Sequence, residues 1–500
     1  MCVSDEAIYQ YCKIASLSLA MTIILFYSLK MNMQTGQDKT ILMSLSSQAV
    51  FRNLFFFPES FFDRLHAFLE KEKDWRVVIL VPDRTLDKYL PLLKDRLHDR
   101  LFLEPVRPLP KKNKMQLAFT FFYSYLIYTD TTKLMATMGA RPDEPPAGGN
   151  WFLAPVKWTI ARTFGTLPFI KTRVIPFLYF RIFRTRPFKN FFDIYKPVRV
   201  FVPHIYGWFD TELIAEAKRQ GVQTIGMPAG WDHVDKYFLP LHVDTLLVAS
   251  EQIAAHANEF QAYDRKDMQM VGYPHFDFIV NPAFIRSRKE TLSSLTFPQT
   301  TKYILYVSGS AYCPDEPDVI ETILKWMDEG RFGADARLVI RPYLGGRSKD
   351  KEFDEEKFNR FEAHPRVIFY RPDFWGDIDE SIHFINIMRY ADIVLAVFTT
   401  MALEASVVDR PLAAVAFDGY HKRPFGRSIR RFERFTHFAD VRKTGAMKTA
   451  HNFDELYAIL DHFFKDPSWG SEERKLLREK LCYKLDGRAS VRIMEHVFKR

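Results

Sequence analysis

The sequence predicts an α/β protein of two doubly wound, Rossmann-like domains that face a cleft, closed by C-terminal helices. Three observations carry this. The chain has 500 residues, too many for one ordinary core. Short apolar runs alternate with amphipathic stretches along most of its length, the pattern of strands and crossover helices around parallel sheets. That rhythm breaks over 281–301, a Ser/Thr/Arg-rich stretch that reads as an interdomain linker and divides the alternation into two sets. Composition agrees: 47% hydrophobic and 26% charged residues, with 21 Gly and 28 Pro, exclude a disordered, collagen-like or linker chain. The expected division is an extension over 1–38, a first domain over 39–285, a second over 286–450 and C-terminal helices over 451–500.

In the first set, 40–45 reads as a strand and 59–71 as a helix with Phe61, Phe62, Leu65, Phe68 and Leu69 on one face; 77–81 is the next strand. Pro-rich material at 105–110 and 142–149 brackets a helical insertion over 115–138, and a second helical stretch covers 151–192. Strands follow at 198–202, 223–227, 245–248 and 268–271, with a helix over 211–219. The second set has strands at 303–307, 337–340, 367–370, 393–397 and 412–416, helices at 316–326 and 401–408, and a helical tail from 452. Two such domains place a ligand cleft between the carboxyl ends of their sheets.

The formal charge of +9 and the aromatic content of 15% have one main source. Between Trp151 and Phe192 lie eight basic residues (Lys157, Arg162, Lys171, Arg173, Arg181, Arg184, Arg186, Lys189), twelve aromatic residues and no Asp or Glu. The rest of the chain is nearly neutral. Lys171, Arg173, Arg181, Arg184 and Arg186 suit an anionic membrane surface, where basic groups meet lipid phosphates and rings enter the acyl boundary. The plainer alternative is core rings beneath a solvated basic face. Nucleic acid is not expected as a partner, since no RNP, KH, zinc-finger or P-loop pattern accompanies the patch.

Cys2, Cys12, Cys313 and Cys482 lack CxxC pairing or histidines at zinc spacing, so a reducing, cytoplasmic setting without a disulfide framework is expected. Residues 14–29 are sixteen uncharged positions between Lys13 and Lys30, short of the roughly 20 that span a bilayer. A short anchor, an interfacial helix and a non-native extension ahead of Met31 or Met33 all fit this segment. No Asp-x-Asp metal motif is present, and neither a metal nor a resident cofactor is expected.

Certain loops carry groups suited to transfer chemistry. Thr399 and Thr400 lie between a strand and a helix, where hydroxyl and backbone N–H meet phosphate or simply cap the helix. Ser308, Gly309 and Ser310 follow the second domain's first strand, as a ligand-approach loop or an ordinary turn. Arg341 ends a strand and can fork onto a diphosphate, or form a surface ion pair. His204 follows one first-domain strand; Asp232 and His233 follow another, and each is a candidate base for an acceptor hydroxyl. Trp231 is a lid, a stacking platform or a core aromatic. Arg52 and Asn53 follow the first strand, with no GxGxxG fingerprint there.

The run WDHVDKYFLPLHVDTLLVASEQIAAHANEF at 231–260, VGYPHFD at 271–277, ILYVSGS at 304–310, LVIRP at 338–342, FTTMALEASVVDRP at 398–411 and DGRAS at 486–490 resemble bacterial surface-polysaccharide glycosyltransferases of the GT-B fold. These are related in pattern to CDP-glycerol glycerophosphotransferases and, more distantly, to UDP-N-acetylglucosamine 2-epimerases. The chain departs from that pattern at His233, where Asn is usual, and at Tyr343, which follows Arg341-Pro342 where a His-Pro pair is common. The resemblance spans 40–492 and implies a nucleotide-sugar donor in the second domain, with Glu404 on its ribose. It also implies a glycan or lipid-linked acceptor entering from the first domain, at the inner face of the membrane. Glycerol-phosphate transfer, 2-epimerisation and a non-catalytic nucleotide-sugar binder are the competing functions.

Overall fold

The computed structural model describes residues 39–137, 151–343, 349–371 and 377–499. The expected N-terminal segment and the Pro/Gly run at 142–149 lie outside the described residues. The first sheet contains β1 (Lys39–Ser44), β2 (Trp75–Pro82), β3 (Leu101–Val106), β4 (Arg199–Val202), β5 (Gln223–Gly226), β6 (Thr245–Val248) and β7 (Met268–Met270), in the order β3-β2-β1-β4-β5-β6-β7. The second contains β8 (Tyr303–Val307), β9 (Arg337–Arg341), β10 (Val367–Phe369), β11 (Ile393–Ala396), β12 (Leu412–Val415) and β13 (Met447–Ala450), ordered β10-β9-β8-β11-β12-β13. All pairings are parallel. The α/β, doubly wound class read from the sequence is the observed one.

Central strands such as β8 and β11 are buried at every position, which is why they read as short unbroken apolar runs. The helix Phe61–Lys71 buries Phe61, Phe62, Leu65 and Leu69 and begins after Ser60, two residues later than the sequence suggests, because Glu59 turns the chain at φ 58°. The sequence misses β3, whose Pro105 argues against a strand; β3 is an edge strand, where a missing N–H is tolerated. It also misses the short edge strand β13 and the helices Asp83–Leu93, Glu251–Gln261 and Ile378–Tyr390.

The expected linker holds a helix, Arg288–Ser294, with a reciprocal capping box between Ser287 and Glu290. It packs against Ile378–Tyr390 beside the second sheet. At the far end, Phe453–Lys465 lies on β11, β12 and β13, whereas Ala489–Val497 crosses back to pack on Phe61–Lys71. Asp277 accepts from the backbone N–H groups of Ala489 and Ser490, and Arg199 donates to the carbonyl of Val497. The two sheet units are therefore joined by two chain crossings.

Between β3 and β4 the helices Lys114–Ser124, Asp130–Met135, Ala154–Thr163, Ile175–Ile182 and Lys189–Tyr195 form the insertion. Its rings divide: Tyr179, Phe183, Phe188 and Phe192 are buried, while Phe152, Phe164, Phe169 and Phe177 are exposed. The Tyr179 hydroxyl donates to buried Glu212 at 2.7 Å, and Arg186 grips Glu216 through two nitrogens. Both carboxylates belong to the helix Trp208–Arg219, so the insertion buttresses the helix that borders the site. No helix among the described residues is long and apolar enough to cross a membrane.

Candidate active site

Each sheet reverses its winding once, between β1 and β4 and between β8 and β11. Loops leaving the carboxyl ends of those strand pairs run in opposite directions and open a crevice. His204 follows β4, Ser46 follows β1, Ser308 follows β8 and Thr399 follows β11. The two crevices face each other: Trp231, after β5, sets its ring edge-on to His437 and Phe438 of the second unit, 4.9 and 5.2 Å between centroids.

The first unit's crevice is built around a buried carboxylate. Asp210, in the first turn of Trp208–Arg219, is wholly inaccessible and accepts from Ser44 Oγ at 2.6 Å and Ser46 Oγ at 2.6 Å. Its Oδ2 also meets His204 Nδ1 at 3.2 Å. A carboxylate with two hydroxyl donors remains an acceptor, so His204 carries its proton on Nδ1 and leaves Nε2 to receive one. The ring is partly exposed. Gly207 permits the approach, since a Cβ there would lie 2.5 Å from Asp210 Oδ2 and 3.3 Å from His204 Nδ1. Asp210, Ser44 and Ser46 are absent from the sequence-derived site; a Ser-x-Ser at a strand end and an Asp in a helix's first turn are each ordinary capping signals until the fold joins them.

Asp232 and His233 have different surroundings. Asp232 is ion-paired with Lys236. Burial would raise its carboxyl, but Lys236, His437 and His233 outweigh that and hold it well below the usual carboxylate range. Burial pushes His233 down to about 4, and its ring lies 4.8 Å from Tyr206 and 6.0 Å from His204. An imidazole so hard to protonate, and a carboxylate already paired with an ammonium, are poor proton acceptors. Trp231 is buried against the second unit, so it is a packing ring and not an open stacking platform.

In the second unit, Ser308 is buried and its hydroxyl is spent locally, accepting from Tyr343 N at 2.8 Å and donating to the Gly309 carbonyl at 3.2 Å. Gly309 donates its N–H to Glu316 Oε1 and accepts from Lys357 Nζ through its carbonyl, at 2.9 and 2.7 Å. Glu316 and Lys357 pair at 2.7 Å with almost no exposure, a buried polar support beneath the loop that sequence reasoning missed. A Cβ on Gly309 would lie 2.7 Å from Val397 and 2.8 Å from Cys313. Ser310 is half-buried, and its carbonyl accepts from Cys313 N. Thr399 accepts from Met401 N, a capping contact, and Thr400 is exposed.

Glu404, on the helix Met401–Val407, connects the halves. Burial raises its carboxyl, countered by the charges of Arg52 from the first unit and Arg341 from the second. Arg341 places its guanidinium 4.7 Å from the Phe384 ring, and burial pushes it down to about 10. Arg52 also acts on His275, which burial pushes down to about 3. Asn53 stands at the boundary of two cavities, its Oδ1 buried with no hydrogen-bond partner among the described residues. The charges of two guanidinium groups, one from each unit, thus bear on this one carboxylate.

On the insertion, Arg173, Arg181 and Arg184 are exposed, as expected of a membrane-facing group. Lys171 is not: it is buried and donates to the Phe260 carbonyl at 2.7 Å, its ammonium pushed down to about 8 by burial. Arg186 is held by Glu216 and serves the fold. Among the described residues no three His, Cys, Asp or Glu side chains gather as a metal site.

No protein-family profile matches the chain, and no curated protein matches its sequence. Solved structures do resemble it. The UDP-GlcNAc 2-epimerase of Neisseria meningitidis bound to UDP-GlcNAc superimposes with a TM-score of 0.53 at 12% identity, over 92% of this chain and 100% of that one. The S. aureus MnaA–UDP co-structure gives 0.51 at 14% identity, over 92% and 96%. The wall teichoic acid polymerase TagF gives 0.46 at 11%, over 98% of each. The first two similarities show that this chain has the GT-B fold.

Proposed function

We propose that the protein transfers a glycosyl group from a nucleotide-activated sugar to a hydroxyl of a cell-envelope glycan or lipid-linked acceptor. The observation that carries this reading is the His204–Asp210 pair at one switch point, opposite the Arg52–Arg341–Glu404 cluster. His204 Nε2 takes the acceptor proton as the acceptor oxygen bonds to the anomeric carbon; the bond from that carbon to the diphosphate breaks, and the nucleoside diphosphate leaves. Arg341 and Arg52 neutralise the charge that grows on the diphosphate. Glu404 accepts from the ribose hydroxyls, with Thr399 and Thr400 beside the phosphates. The similarity to enzymes named as bound to UDP and to UDP-GlcNAc supports a nucleotide-sugar donor.

Epimerisation requires cleft carboxylates able to exchange protons with the sugar, whereas Asp210 is held by two serines and Asp232 by Lys236. Incubation with UDP-N-acetylglucosamine alone therefore gives no epimer. Glycerol-phosphate transfer would use the same cleft, and mass spectrometry of the product separates it from sugar transfer. A thermal-shift screen over UDP, CDP, GDP and CMP conjugates identifies the donor. Glu404→Ala then weakens donor binding by calorimetry; unchanged affinity overturns the nucleotide assignment, and no shift with any conjugate overturns the reading.

The membrane surface enters this reading as the place of the acceptor. Phe152, Phe169 and Phe177 are 71%, 68% and 58% exposed, beside Arg173, Arg181 and Arg184 and far from any acidic residue in sequence. Arg181 lies over the Phe177 ring at 5.1 Å, so cation and ring face outward together. Co-sedimentation with phosphatidylglycerol vesicles is expected for the native chain and lost when all three arginines become Glu. A native chain that stays in the supernatant refutes this.

A further inference from the structure

A cavity of about 380 Å³ lies at the hinge, away from the His204 pair. Its walls come from three parts of the chain: the loop and helix start at Asn53–Arg64, the first crossing at Pro274–Val280, and the return crossing at Leu485–Gly487. Three buried polar atoms that line it have no hydrogen-bond partner among the described residues: Asn53 Oδ1, Ser60 Oγ and Arg64 Nε. Ser60 is 5% exposed and precedes Phe61–Lys71 at its N-cap without making a capping bond. Buried polar groups are nearly always partnered, so three in one cavity mark a place for a ligand's own polar groups.

The charges restrict that ligand. Arg64 is the cavity's cation, 3.9 Å from Glu59, and Asp277 and Asp486 also face the space. Asp486 is ion-paired with Arg492, and the one guanidinium left between Glu59 and Asp277 disfavours phosphate. A hydroxyl group donates and accepts at once, so it can bridge a guanidinium and a carboxylate that stand too far apart to bond. Asp277 has lone pairs to spare beyond its two backbone donors, and Asn53 Oδ1 and Ser60 Oγ accept from the same kind of group. Phe57, half-buried and stacked at 4.2 Å between centroids on the buried Phe278, gives the apolar wall on which the C–H face of a sugar ring rests. We infer that the hinge cavity binds a neutral saccharide ring, bridging Ser60, Arg64 and Asp277 against Phe57 and Phe278.

Two sources share this chemistry: an upstream unit of the glycan acceptor, which depends on the transferase reading, and a free sugar acting as an effector. Asn53 and Pro274 also line a second, water-sized cavity beside His275. Both crossings line the cavity, so its occupant contacts every covalent link between the units.

The test is saturation-transfer difference NMR on the full chain with methyl glycosides of glucose, galactose, mannose and N-acetylglucosamine, and with their β-linked disaccharides. Ser60→Ala and Arg64→Gln are the variants; Ser60→Ala removes no capping bond, so its melting temperature stays that of the native chain. Saccharide signals are expected to persist under saturating nucleotide and to weaken about fivefold in each variant, the loss of one hydrogen bond. Stronger disaccharide than monosaccharide signals assign the site to the acceptor glycan; equal signals assign it to a free sugar. Absence of signal from every saccharide, signals unchanged in both variants, or Arg64-dependent stabilisation by inorganic phosphate alone each overturns the inference. If no nucleotide shifts the melting temperature yet the saccharide signals remain, the transferase reading falls and the hinge site stands.

Discussion

Asp210→Asn separates the two functions of the first-unit crevice, because it preserves shape and removes charge. The native carboxylate is inaccessible, receives two hydroxyl hydrogen bonds at 2.6 Å and faces His204 Nδ1 at 3.2 Å. When His204 takes a proton, that carboxylate lies against the new imidazolium. At an effective dielectric of about 20, two unit charges about 4 Å apart attract by about 4 kcal/mol. Its loss in the transition state alone corresponds to about 10³-fold in kcat. An amide can also turn its NH₂ toward the ring and favour the tautomer whose Nε2 is already protonated. The expected result, with the donor and acceptor identified by the nucleotide screen, is a kcat lower by about 10³ and an unchanged donor affinity by calorimetry. His204→Ala falls as far, and the double variant falls no further, since two groups acting as one unit are not additive. A kcat within about threefold of native for Asp210→Asn, in a protein with native melting temperature, refutes the assignment of His204 as base.

Burial raises the Glu212 carboxyl to about 7 against the opposing pull of Tyr179, Arg219 and Lys112. The unfolded chain ionises this group first, so its contribution is complete below about pH 4.5 and lost as pH rises through about 7, a change on the order of 3 kcal/mol. Urea unfolding of native chain and Glu212→Gln at pH 5 and 8 checks this; the variant gains relative stability at the higher pH, and a pH-independent difference contradicts it. Gly309→Ala forces a Cβ to within 2.7 Å of Val397 and is expected to destabilise by about 1–3 kcal/mol, read as a lower melting temperature with weakened nucleotide binding. Lys357→Met leaves the Glu316 and Asp354 carboxylates buried without their cation and costs about 3–5 kcal/mol in chemical unfolding, part of which Glu316→Gln restores in the double variant. A single variant as stable as the native chain removes the pair from the loop's support.

The inner strands were legible because buried parallel strands leave short apolar runs with no competing period, and β8 and β11 are buried throughout. Two of the four edges were not: β3 carries Pro105 and β13 reads Met-Lys-Thr-Ala, since an edge strand needs neither a full set of N–H groups nor two apolar faces. Within the site, sequence placed residues at strand ends but not their commitments. His204, Asp232 and His233 follow strands in the same way, and only their neighbours distinguish a base resting on a carboxylate from a paired acid and a buried, unprotonated ring. The same limit applies to Ser308, which occupies a ligand-approach position and spends its hydroxyl on Tyr343 and Gly309.

These commitments explain why the first loop lacks the glycines that its place after β1 would suggest. A glycine-rich loop brings backbone N–H groups to a phosphate. Here the last residue of β1 is Ser44 and the loop after it carries Ser46, and both hydroxyls point inward to Asp210. A phosphate in that crevice would meet a buried carboxylate, whereas an alcohol would meet an imidazole whose proton that carboxylate has fixed. The opposite crevice has the reverse balance, with Arg341 and Arg52 acting on Glu404. On the proposed transfer reading, this difference would place the anionic donor at the second unit and the hydroxyl acceptor at the first. Exchanging the sign at one point tests this asymmetry. Arg341→Glu is expected to abolish the thermal shift given by the nucleotide while leaving the saccharide signals of the hinge cavity intact, and a nucleotide shift as large as the native chain's contradicts the asymmetry.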